Sequence, residues 1–183
     1  MMPRILIFMT AALLFSGGSL LADNLIKNGD FAAIAPEGLP EVWKVSDFVQ
    51  TTTVDVRDKP AGVARSLRVD IEREFETHGQ IVQSFSDLKQ ETTYLLEGWI
   101  KSSVPGIGYL QIKLYSKTPK AELMKINVPK EKSTGEWRKV SQEFSTLKAD
   151  NVNVFLRFHQ DKDAVDQKVW FADIRLSEKT AAP

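Results

Sequence analysis

Four carboxylates recur at every second position in the segment DIEREFE: Asp70, Glu72, Glu74 and Glu76. On an extended strand this spacing puts all four on one side. Paired carboxylates on a β scaffold are what glycosidases use to protonate a leaving oxygen and to attack or activate water. Opposite them stand Leu67, Val69 and Ile71, so the run also reads as an amphipathic strand with a solvated acidic face. The other chemistry-bearing types are sparse. There are two histidines, His78 and His159, and no cysteine, which excludes thiol nucleophiles, disulfides and cysteine-held metals. GxSxG, HExxH and Gly-rich phosphate-loop signatures are missing. The acidic stretch DKDAVD, with Asp161, Asp163 and Asp166, lacks the glycine and terminal glutamate of a calcium loop and reads as a surface turn.

A second constellation comes from period-two alternation. In TYLLEGWIKSS the apolar set Tyr94, Leu96, Gly98 and Ile100 points inward, leaving Leu95, Glu97, Trp99 and Lys101 outside. GYLQIKLYSK turns Leu110, Ile112 and Leu114 inward and Tyr109, Gln111, Lys113 and Tyr115 outward. NVNVFLRFHQ buries Val152, Val154, Leu156 and Phe158, leaving Asn153, Phe155, Arg157 and His159 outside. If these strands share one sheet, its outer face carries Trp99, Tyr109, Tyr115, Phe155, Gln111, Arg157, Glu97 and His159. That mixture suits a sugar, because rings pack on pyranose C–H faces while amide, guanidinium and carboxylate groups bond hydroxyls. The alternative is that a loop or partner strand covers these aromatics as a minor core. Trp43 and Trp137 sit beside turn sequences and read as structural pegs, and the side Trp170 faces depends on a bulge near Asp173.

The elements that must position these residues are short strands separated by Gly, Pro, Asn, Asp or Lys-rich turns. The clearest are 66–75, 79–85, 93–103, 108–117, 136–145, 151–160 and 168–177, with weaker candidates at NLIKNGDF (24–31) and TTTVDVRD (51–58). Seven to nine strands without crossover helices predict an all-β fold, an antiparallel β-sandwich or jelly roll. The 183 residues make one domain, and 24 basic against 24 acidic side chains argue against a nucleic-acid partner. Charge is uneven locally: between Lys113 and Lys139 eight basic residues face three acidic ones, which suits a solvated hairpin and loop or a stripe for acidic polymers. Residues 1–22 have Arg4, an apolar run from Ile5 to Phe15 and small residues ending at Ala22, the pattern of a secretory signal peptide. Cleavage after Ala22 is expected, giving a secreted or periplasmic domain over 23–183 (core 24–178) with no membrane span.

The opening NLIKNGDF, the following GLPEVW, the internal SLRV, TYLLEGWIKS and GEWRKVSQEF, and the closing VWFADIRLSE resemble CenC-type carbohydrate-binding modules. The resemblance covers Asn24 to about Glu178. It implies a galactose-binding-like jelly roll that acts without catalysis, holds polysaccharide on the concave face of one sheet and typically accompanies glycoside hydrolases. It requires no cofactor but implies a structural calcium at the joined chain ends, where Asp30 and Asp173 match and Ala32 and Ala172 replace expected acidic residues. The expected ligand residues are Trp99, Tyr109 and Tyr115 as stacking platforms, with Gln111, Glu97, Arg157 and Phe155. Lys101, Lys113 and Arg157 make an acidic or sulfated polysaccharide the second expectation. A separate hydrolase or an envelope protein is the expected protein partner. The rival functions are an envelope interaction jelly roll without sugar binding and a small glycoside hydrolase using the DIEREFE carboxylates.

Overall fold

The computed structural model describes residues 23–46, 51–76, 78–128 and 135–179; the signal-like stretch and part of the basic segment lie outside them. Ten strands follow in chain order: β1 (Lys44–Val45), β2 (Thr51–Asp55), β3 (Ser66–Asp70), β4 (Gly79–Phe85), β5 (Thr93–Ser102), β6 (Gly108–Lys117), β7 (Lys120–Val128), β8 (Arg138–Ser145), β9 (Asn151–Phe158) and β10 (Lys168–Glu178). One 3-10 turn at Lys162–Ala164 is the only helical element among the described residues, and no helix there is long and apolar enough to cross a membrane. The strands form two five-stranded antiparallel sheets, sheet I in the order β2-β3-β10-β5-β8 and sheet II in the order β1-β4-β9-β6-β7. This is the expected β-sandwich jelly roll.

The core lies between the sheets and is made by the alternating inward sets. Leu67 and Val69, Tyr94, Leu96 and Ile100, and Val169, Phe171, Ile174 and Leu176 come from sheet I. Ile81, Leu110, Ile112, Leu114, Val152, Val154, Leu156 and Phe158 come from sheet II. β-branched and aromatic residues dominate because they fill the pleated surface and lose little further rotamer freedom there. In β10 the register shifts between Ala172 and Arg175, with Asp173 at φ 48°, and this bulge restores the inward direction of Ile174.

Two sequence expectations need correction. The strand drawn from Ser66 to Phe75 stops at Asp70, because Ile71 turns to pair with a loop: its N–H donates to the Gln167 carbonyl (3.0 Å) and its carbonyl accepts from Asp166 N–H (2.8 Å). NLIKNGDF forms no strand, since Asn28 and Phe31 take left-handed backbone (φ 51° and 54°) that breaks an extended run. It closes the domain all the same. Leu25 N–H donates to the Leu176 carbonyl (2.7 Å), Ile174 N–H donates to Gly29 (2.9 Å), and the Asn24 amide oxygen accepts from Ile26 and Leu176.

Gly29 sits so close to β10 that a Cβ there would lie 2.0 Å from the Ile174 carbonyl oxygen. A backbone atom cannot step aside as a side chain can. Gly29→Ala is therefore expected to cost about 1–3 kcal/mol by forced separation of the chain ends, read as a lowered urea midpoint at unchanged slope. A wild-type midpoint would refute the close approach.

Candidate functional site

Because β5 lies in sheet I while β6 and β9 lie in sheet II, the expected single face does not exist. Trp99 and Glu97 look out from sheet I; Tyr109, Gln111, Tyr115, Phe155 and Arg157 look out from sheet II, on the opposite side of the sandwich. Within each strand the alternation is as expected, with Tyr94, Leu96, Gly98 and Ile100 buried in β5 and Leu110, Ile112 and Leu114 in β6.

The outer face of sheet I is closed upon itself. Lys101 Nζ binds the Asp58 carboxylate (2.7 Å) and lies 5.0 Å from the centre of the Trp170 ring, and the Trp137 indole N–H donates to Asp58 (3.0 Å). Arg68 pairs with Asp70 and Asp55, Lys139 with Glu97, and Arg175 with Asp173. Trp170 is thereby 8% exposed. Trp137 acts as a peg over this surface, and Trp43 as one in the core, where its ring stands 5.9 Å from that of Phe31 and its N–H donates to the Asn28 carbonyl.

The outer face of sheet II is built differently. Antiparallel registry aligns side chains of neighbouring strands in rows. One row runs Lys44, Val82, Phe155, Gln111, Asn127; the next on one side is Gln80, Arg157, Tyr109, and on the other Ser84, Asn153, Lys113, Lys125. Tyr115 stands opposite Asn151 and, across a bulge in β7, opposite Glu122. Phe155 is the floor at 6% exposure, with the Arg157 guanidinium 5.7 Å from its ring centre, while Tyr109 and Tyr115 are half-buried. Arg157 Nη1 donates to Gln80 Oε1 (2.5 Å) and the Gln111 amide donates to Asn127 (2.7 Å). Three buried polar atoms at adjacent register positions have no protein partner: Gln111 Oε1, Asn153 Oδ1 and Arg157 Nε.

At one end of this face both histidines meet. Their rings are 4.3 Å apart between centroids, His78 Nδ1 shares a hydrogen bond with the Tyr109 hydroxyl (2.8 Å), and His159 Nδ1 lies 3.9 Å from Asp161. Burial, then the neighbouring His159 and Arg157, holds the His78 pKa below its ordinary 6.5, with Asp161 opposing. The unfolded chain thus takes up the proton first as pH falls below 6.5, and stability drops across that window until the folded site is protonated too. His78→Gln is expected to flatten thermal-stability curves between about pH 6.5 and 5; an unchanged slope would remove His78 as the cause.

Sequence reasoning missed His78, Gln80, Asn127 and Lys125 as members of this face. Alternation in GQIVQSF was a signal for Gln80, whereas His78 precedes the strand and carries none. The DIEREFE carboxylates are not a one-sided row. Asp70 pairs with Arg68 and lies 3.8 Å from Lys168, Glu72 accepts from the Thr51 hydroxyl (2.5 Å), and Glu74 and Glu76 follow in irregular chain. Asp30 caps the Ala32 N–H and Asp173 is held by Arg175 (2.9 Å); the described residues contain no group of three His, Asp or Glu side chains that could hold a metal ion. A cavity of about 750 Å³ opens at the β1–β4 edge of these rows, where Lys44, Val82 and Ser84 line it together with Asn24, Gln83 and Glu178.

Comparison with solved structures finds the same fold in several settings. The CBM22-1 xylan-binding domain of Xyn10C from Paenibacillus barcinonensis superposes with a TM-score of 0.64 at 15% identity, over 88% of this chain and 97% of that one. TmCBM61, solved with β-1,4-galactotriose, gives 0.61 at 15% identity over 86% and 100%. The enzymatically active domain of bacteriophage CBA120 tailspike protein 4 gives 0.61 at 10% identity over 85% of this chain, which spans 21% of that one. No curated protein matches by sequence. The family model described as carbohydrate binding domain matches residues 23–164, from the start of the described chain through β9. The chain belongs to that family, CBM_4_9, the carbohydrate binding domain.

Proposed function

We propose that this protein is a non-catalytic polysaccharide-binding module whose ligand lies across the outer face of sheet II. The observation that carries this is the cluster of Gln111 Oε1, Asn153 Oδ1 and Arg157 Nε, three polar atoms without protein partners beside Tyr109 and the Phe155 floor. An unpaired buried polar group costs about 1–3 kcal/mol, and rotation of the two amides and the guanidinium toward sugar hydroxyls supplies the partners. Tyr109 offers the ring for a pyranose face, and Tyr115 a second platform three rows away. Trp99 and Glu97 contact no ligand held there, since they are on the other side of the sandwich.

Sheet I supports the same assignment by contrast, because its charged groups are already paired with one another and a ligand would have to displace them. Asp173 is on β10 of sheet I and Asp30 in the opening turn, so both lie off this face. The signal-like residues 1–22 support export, with Asp23 as the N-terminus of the exported protein.

The test is binding of the purified protein to soluble and insoluble polysaccharides. Xylan and β-1,4-galactan come first, because fold relatives are a xylan-binding domain and a galactotriose complex. Saturable binding with no release of reducing sugar is the expected result. Absence of binding to every neutral and acidic polymer would reject the proposal.

A further inference from the structure

We infer that the sheet II face selects a glycan that carries negative charge, a carboxylate or sulfate group, with Lys125 as the cation that reads it. The inference rests on the binding face proposed above and adds the chemical class of its ligand.

Three observations point to it. The outward strand positions of this face hold Lys44, Lys113, Lys125 and Arg157 against a single carboxylate, Glu122, among the described residues. The whole chain is neutral, so this excess is local. The face of sheet I carries comparable numbers of both signs and pairs them.

Lys113 and Lys125 also stand directly opposite each other across β6 and β7. Like charges in that position are destabilising in a free sheet. Glu122 compensates only one of them: its carboxylate is 3.0 Å from Lys113 Nζ and holds that ammonium's pKa above its ordinary value. Lys125 is exposed and has no carboxylate partner among the described residues.

The cations are spread over three adjacent rows and the full width of the sheet. Lys44 is on one edge strand, Arg157 on the central strand and Lys125 on the other edge, a width of about 19 Å for five strands. Gln111 stands on the strand between Arg157 and Lys125, with Asn153 on the strand of Arg157 and Asn127 on that of Lys125, to bond hydroxyls. Asp161, beside His159, is the acidic group at the end of the face and lies beyond the row that Lys125 occupies.

Affinity electrophoresis of the purified protein in gels containing alginate or polygalacturonate (carboxylated), chondroitin sulfate (carboxylated and sulfated), dextran sulfate (sulfated), xylan or β-1,4-galactan tests this. The expected result is retardation by at least one anionic polymer, and which one distinguishes carboxylate from sulfate. Lys125→Glu should weaken that retardation at least fivefold, and Lys139→Glu, the same charge change on the sheet I side, less than twofold. Equal weakening by both variants would show diffuse attraction and overturn the inference. Retardation by neutral polymers alone, unaffected by Lys125→Glu, would overturn it while leaving the polysaccharide-binding proposal standing. Retardation by none would overturn both.

Discussion

Replacing Phe158 by alanine is expected to lower the unfolding free energy by about 3–5 kcal/mol, a large share of the roughly 5–15 kcal/mol a domain has. The ring is fully buried at the end of β9 and is flanked in registry by two glycines, Gly79 of β4 and Gly108 of β6. A Cβ on Gly79 would fall 2.0 Å from the ring, so the glycine is what lets the aromatic lie flat across the strand. Neither registry neighbour has a side chain to swing into the space left by the ring, which places the cost toward the upper end of large-to-small substitutions. Equilibrium urea unfolding measures it. A loss under about 1.5 kcal/mol would mean the site relaxes and the ring does not anchor this corner. Because Phe158 stands between Arg157 and His159, the same variant should also weaken the binding face, and the two effects separate by measuring binding well below the melting temperature.

Much of this architecture was legible from period-two alternation. β4 and β6 have the expected ends and β5 stops one residue short of its expected end at 103, because Tyr94, Leu96 and Ile100 in β5 and Leu110, Ile112 and Leu114 in β6 mark the inward side. Alternation fails where a polar residue faces in. Gln83 is 7% exposed in β4, and its amide binds both the N–H and the carbonyl of Lys27, replacing a strand partner with a side chain. It fails again in β7, where Lys120, Glu122 and Lys125 mask an inward set of Met124, Ile126 and Val128, and the bulge before Tyr115's partner shifts the period at Leu123. A strand at the edge of a sheet needs little apolar surface and is charged to prevent further pairing, so composition alone reads it as loop.

The candidate site was legible by strand and illegible by sheet. Alternation tells which side chains leave the core; it does not tell through which side of a sandwich they leave. β5 and β6 are consecutive in sequence but belong to opposite sheets. That connection puts Trp99 and Tyr109, ten residues apart, on opposite surfaces. The acidic run 70–76 went wrong for a related reason, since its spacing continued past Asp70 while its hydrogen-bond partner changed from a strand to the 166–167 loop.

The division between the two surfaces makes the second large prediction. Arg157→Ala should weaken polysaccharide binding by about 10–100-fold, while Trp99→Ala leaves it within twofold. Arg157 presents the charge-assisted donors of the face, and hydrogen bonds to charged groups contribute about 1.5–3 kcal/mol each, which corresponds to that range of affinity. Its removal also releases Gln80, now its partner, and uncovers Phe155. The folded protein should tolerate this, since Arg157 is only half-buried and its aliphatic stem covers a ring that water can then reach. Trp99, though the larger aromatic, has Lys139 and Ala172 as its cross-strand neighbours in sheet I. Isothermal titration with the polymer found in the screen reads both variants against matched melting curves. The opposite result, binding lost with Trp99 and kept without Arg157, would transfer the ligand to sheet I. It would then require the Lys139–Glu97 and Lys101–Asp58 pairs to open on binding, which a steep salt dependence of affinity would reveal.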